Sequence, residues 1–151
     1  MSQFFEFESD FVASLRCIPM QIRLKLDTCG IKLKLPQWNQ FSQSDRQLLI
    51  NLACETATEI ATYRTTLEQL VLERTGTAVS TFPIEPMPPW EDVTTMPLSV
   101  QEKAVEVGTT IALDQWAMLT PLQRFALIKL SRSSHENRNF LPALKEFGLM
   151  N

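Results

Sequence analysis

The second half of this chain rewrites the first. Residues 19–52 align with 97–130 without a gap. Pro19 falls on Pro97, Lys25 on Lys103, Gly30 on Gly108, Leu35 on Leu113, and Gln37-Trp38 on Gln115-Trp116. Arg46 falls on Arg124, and Leu49-Ile50 on Leu127-Ile128. One residue is then lost and the match resumes, with Thr56 on Ser133, Glu59 on Glu136, Tyr63 on Phe140 and Leu67 on Leu144. A chain that repeats in this way is built from copies of one supersecondary unit. Positions kept in both copies belong to the scaffold, and polar positions found in one copy only are where a site can sit.

Each copy reads as three helices. The first spans Pro19 to Cys29, with Ile22, Leu26 and Cys29 on one face and Gly30 as its left-handed cap. Pro97 to Val107, followed by Gly108, repeats it. The alternating piece Ile31-Lys-Leu-Lys-Leu35 can run extended, but five residues make no sheet alone. Capping boxes at Ser42-x-x-Asp45 and Thr120-x-x-Gln123 open second helices over about 43–53 and 121–132. Thr56-x-x-Glu59 and Ser133-x-x-Glu136 open the third helices, which end before Gly76 and Gly148. Pro142 is expected to kink the last one or delay its start.

The expected fold is therefore all-α. Two pseudo-symmetric three-helix repeats, about 17–75 and 97–149, form one helical domain over 1–151. A proline-rich connector over 76–96 joins them. Pro83, Pro86, Pro88 and Pro89 keep that connector extended, and Phe82, Ile84, Met87 and Trp90 are expected to pack it down.

Composition narrows the function. Hydrophobic residues make up 44% and charged residues 21%, as in a soluble globular chain. The net charge is −3 with no Lys/Arg cluster, so no nucleic-acid footprint is present. The apolar runs are far short of a membrane span, and the acidic start lacks the basic opening of a signal peptide. Three cysteines without metal spacing fit a reducing cytoplasm.

Trp38 and Trp116 stand at one place in both copies, which favours core anchors over a binding platform. Arg46 and Arg124 are expected to tie down carbonyls or a carboxylate, and Lys25 and Lys103 to be solvated. Cys17, Cys29 and Cys54 have no counterparts in the second copy, and they read as buried inert thiols. A thiol enzyme would need His135, the single histidine, as base. There is no Gly-rich phosphate loop, no nucleophile elbow and no His or Cys pair for a metal. No catalytic residue, cofactor or metal is expected.

Two polar clusters belong to one copy each. Arg16-Cys17-Ile18-Pro19-Met20 with Arg23 is the first, and Arg132 through Asn139 is the second. The second sits at a helix start, a natural place for an anion, although a capping box with a solvated flank explains it equally well. A partner-binding face is expected to include Arg16, Met20, Arg23, Arg132, His135, Asn137 and Arg138. Arg132, His135 and Arg138 also support an alternative, a carrier of molybdopterin or another anion, alongside a generic helical interaction module.

Three strings carry a family resemblance. They are Phe11-Val-Ala-Ser-Leu-Arg-Cys-Ile-Pro-Met20, Lys25-Leu-Asp-Thr-Cys-Gly-Ile-Lys-Leu33 and the tail from Leu119 through Arg124, His135 and Pro142 to Leu149. Together the chain resembles the nitrate reductase-associated protein family of cyanobacteria over nearly its whole length. Ser133 stands where the family pattern has proline. The resemblance implies a small cytosolic accessory protein that assimilatory nitrate reductase needs in order to be active. That reductase is a molybdopterin and iron–sulfur enzyme. The family brings no catalytic residues to carry over, so the expected partner is nitrate reductase and the expected role non-enzymatic.

Overall fold

The protein is described here by a computed structural model that covers residues 4–9, 17–132 and 137–150. Among these residues are eight α-helices: α1 Met20–Cys29, α2 Leu35–Asn39, α3 Gln43–Asn51, α4 Ala57–Thr75, α5 Leu98–Glu106, α6 Leu113–Met118, α7 Pro121–Arg132 and α8 Phe140–Glu146. Two short strands, β1 Ile31–Lys32 and β2 Ser80–Thr81, pair antiparallel. The chain divides into two compact units, one of residues 1–4 and 8–85, the other of residues 5–7 and 86–151. The expectation of a mostly helical fold holds.

Side-chain caps set the helix starts. Ser42 Oγ accepts from Asp45 N–H at 3.1 Å, and Asp45 Oδ2 accepts from Ser42 N–H at 2.9 Å. Thr56 with Glu59, and Thr120 with Gln123, make the same reciprocal pair. Each pair satisfies two of the amide donors that a helix start leaves open. The box at Ser133 and Glu136 lies outside the described residues. α8 begins only at Phe140, after the tight turn Asn137–Asn139. Pro142 is thus its third residue, where an amide hydrogen has no helical partner to lose.

Each half carries four helices where three were expected, because the Trp-bearing turn is itself a short helix. The cause is the glutamine before each tryptophan. Gln37 Oε1 accepts from Lys34 N–H at 2.9 Å, and Gln115 Oε1 accepts from Ala112 N–H at 2.8 Å. Each glutamine closes half of a capping box whose other position, Lys34 or Ala112, has no side-chain acceptor to give.

In the first unit, α1 and α4 pack together around Ile22, Leu26, Cys29, Trp38, Leu49, Tyr63 and Leu67, all of them buried. The extended piece after α1 does find a strand partner: Ile31 pairs with Thr81 and Lys32 with Ser80. Two residues from the connector complete the ladder. Gly30 is required at this junction for two reasons. Its φ is +78°, and a Cβ there would meet the Phe82 carbonyl oxygen at 2.7 Å.

In the second unit α7 is central. Residues 124–128 and Leu130 are buried, and α7 packs on α5, on α8 and on the turn Pro89–Glu91. The all-round apolar sequence of this helix foreshadows that position. The Trp90 ring meets Phe125 edge-on at 5.1 Å. Elsewhere the connector is held by the Val79 and Met96 side chains and by its main chain. Phe82 N–H donates to Gly30 O at 3.0 Å, while Phe82, Ile84 and Met87 are exposed, against expectation. A chain fixed by prolines and backbone bonds cannot rotate those side chains inward.

Candidate functional site

The residues shared by both copies resolve into two Trp–Arg locks. Trp38 and Trp116 are fully buried in the core, as the symmetry argument expects. Arg124 Nε donates to Trp90 O at 2.7 Å, and its Nη1 donates to the carbonyls of Trp116, Ala117 and Leu119. The Trp116 indole N–H donates to Asp92 O at 3.1 Å, so lock and connector are bound together. In the first unit Arg46 Nη2 reaches the carbonyls of Trp38 and Asn39 at 3.3 and 3.4 Å, with its guanidinium 5.4 Å from the Trp38 ring. Arg46 Nε is buried without a hydrogen-bond partner. These arginines close the carbonyl ends of α2 and α6.

Lys25 is not solvated as expected. Its Nζ donates to the carbonyls of Leu49, Ile50 and Leu52 at 3.3, 2.8 and 2.8 Å and lies 5.4 Å from the Tyr63 ring. It is a C-cap for α3 supplied by another helix, and burial lowers its pKa. The Tyr63 hydroxyl donates to Leu49 O at 3.0 Å, and burial raises its pKa well above the usual phenol range. Lys103 is mostly covered and pairs with Glu106 at 3.0 Å. Sequence alone hides such roles because the carbonyls come from a separate helix.

Cys29 and Cys54 stand beside this lysine and are buried, as expected. Burial pushes their thiols up to about 11 and about 12, which keeps them protonated and poorly nucleophilic at neutral pH. Cys17 is exposed, against expectation. Among the described residues, no group of three or more His, Cys, Asp or Glu is placed to hold a metal ion.

The two one-copy clusters fall in different units. In the first, Met20 is 3% exposed, and its N–H donates to the buried Glu8 carboxylate at 2.8 Å. Its side chain therefore belongs to the core and presents no surface to a partner. Glu8 acts here as a cap for α1 from twelve residues upstream. Arg23 is half-buried and Arg16 lies outside the described residues. In the second cluster, Arg132 at the end of α7 and Arg138 in the Asn137–Asn139 turn are exposed. His135 lies outside the described residues, and so does the side chain of Asn137.

Exposed apolar side chains are the surface feature that sequence reasoning missed. Leu98 and Val105 on α5, and Leu113 and Met118 on α6, all face outward in the second unit. Helical spacing carried the signal, since Leu98 and Val105 are seven residues apart on the face opposite Val100 and Ala104. No helix is long and apolar enough to cross a membrane among the described residues. No curated protein and no solved structure matches the sequence. A family model described as conserved nitrate reductase-associated protein matches residues 4–147, so the chain belongs to the nitrate reductase-associated family.

Proposed function

We propose that the protein is a non-enzymatic accessory factor that binds assimilatory molybdenum nitrate reductase in the cytoplasm and supports its activity or maturation. The match of residues 4–147 to the nitrate reductase-associated family carries this reading. The chemistry of the candidate residues is in keeping with it. Arg124 and Lys25 are engaged by main-chain carbonyls, and the buried thiols are held protonated. The exposed polar side chains Arg132 and Arg138 and the exposed apolar positions of α5 and α6 suit a binding role.

We further propose that the two halves are pseudo-symmetric copies of one unit. Aligned positions supply the starts of the first three helices, the Trp–Arg lock and the glutamine cap in each half. The departures are β1, since the aligned residues 109–112 form no strand, and the last helix, which starts at Phe140 where its counterpart starts at Ala57.

Function is tested in a deletion strain grown on nitrate, with the tagged full-length chain used for pull-down. Reductase activity is expected to fall, and the reductase to co-purify with the chain. Normal reductase activity in the deletion strain overturns the reading.

A further inference from the structure

α5 turns large apolar side chains toward solvent. Leu98 and Val105, two turns apart on one stripe, are 67% and 66% exposed. Glu102 lies between them and Glu106 follows, both exposed. Rotating the helix cannot hide the pair, because Val100 and Ala104 already close its inner face with no exposure at all. A surface helix ordinarily carries polar residues on that outer side.

The repeat shows that this exposure is particular to one copy. Leu98 aligns with Met20, which is in the core, where the Glu8 carboxylate caps its helix. Val105 aligns with Asp27. The first copy thus buries one position and makes the other polar, and the second copy does neither. The charge reverses as well. Residues 19–40 hold Arg23, Lys25, Lys32 and Lys34 against Asp27, whereas residues 97–118 hold Glu102, Glu106 and Asp114 against Lys103. Lys103 is itself paired with Glu106 at 3.0 Å.

We infer that this face of α5 docks a cationic amphipathic helix of the partner protein. The identity of that partner as nitrate reductase rests on the function proposed above. Two apolar anchors at heptad spacing receive the apolar stripe of such a helix, and Glu102 beside them receives a flanking lysine or arginine, while Glu106 is held by Lys103. Charge selects this occupant over two others. An anionic membrane surface repels the stripe. A second copy docked about a twofold axis brings the same carboxylates against each other.

The test uses the full-length chain and two variants, the double change Leu98→Ser with Val105→Ser and the single change Glu102→Lys. Binding to purified assimilatory nitrate reductase is measured by biolayer interferometry at about 0.1 M salt. Each variant is expected to bind about tenfold more weakly with an unchanged melting temperature. Added salt is expected to weaken the wild type and spare the charge-reversed variant. Equal binding by all three chains overturns the docking face and leaves the accessory role standing. If the wild type itself does not bind the reductase, the accessory role fails. The face is then probed with an amphipathic Leu/Lys peptide of about four turns. The wild type is expected to bind it and both variants to lose it, and a wild type that ignores the peptide overturns the inference. Binding to phosphatidylglycerol vesicles, or dimerisation in sedimentation, that both variants abolish would assign the face to a membrane or to a second copy, and also overturn it.

Discussion

Arg46 and Arg124 are one residue type at one place in the repeat, yet their surroundings differ. Arg124 donates to four carbonyls, including that of Trp90 from the connector, and is buried. Arg46 reaches two and leaves Nε unpaired. Removing Arg124 orphans more buried acceptors, and each unsatisfied buried group costs on the order of 1–3 kcal/mol. Arg124→Met is therefore expected to lower stability by about 2–4 kcal/mol and Arg46→Met by about 1 kcal/mol or less, read as a difference in urea midpoint at unchanged slope. Equal losses would mean that the connector carbonyl contributes little. The tryptophans and arginines were legible in the sequence because both copies display them. Lys25 was not, although it too is repeated. A lysine's spacing says nothing about which distant carbonyls its long side chain will reach.

At the scale of elements, short-range chemistry was legible and long-range pairing was not. The capping boxes at Ser42, Thr56 and Thr120 stand three residues from their partners, so sequence and structure agree. The Gln37 and Gln115 caps obey the same rule, but without a Ser or Thr at the first position they were read as turns. β1 could not be foreseen, because its partner residues lie in the connector. The α3 box also carries a pH prediction. Arg74 bonds both Asp45 oxygens at 2.8 and 3.1 Å and, with the Ser42 bonds, holds the Asp45 carboxyl down at about 2. Unfolding returns that carboxyl to its ordinary value of 3.8. The stabilisation is then fully present above about pH 4 and fades as pH falls toward 2. Arg74 is 41% exposed, so screening limits the effect to about 1 kcal/mol. Asp45→Asn is expected to destabilise the protein by that amount at pH 7 and by nothing near pH 2. A constant difference across acid denaturation would remove Arg74 and the cap as the cause.

At the scale of the whole molecule, the repeat was the most informative thing in the sequence, and the function was the least derivable from physics. Helix order, glycine caps and a proline-bound connector follow from local rules, and no residue pattern names a partner. The family match supplies membership of the nitrate reductase-associated family, which no local rule yields. If the halves are copies of one unit, superposing residues 19–71 on 97–148 aligns the first three helices of each half and brings both tryptophans into coincidence. Unrelated helix directions would refute the copy.

The aromatic start of the chain has a further consequence, one of timing. Phe7 N–H donates to Glu146 Oε1 across 139 residues, and Phe5 lies edge-on to Phe147 at 5.0 Å. A ribosome adding about 5–20 residues per second makes Phe7 wait roughly 7–30 seconds for that carboxylate. Those contacts of the second unit thus cannot form until Glu146 and Phe147 have been made, and for that interval Phe5 and Phe7 are exposed to chaperones and to neighbouring nascent chains.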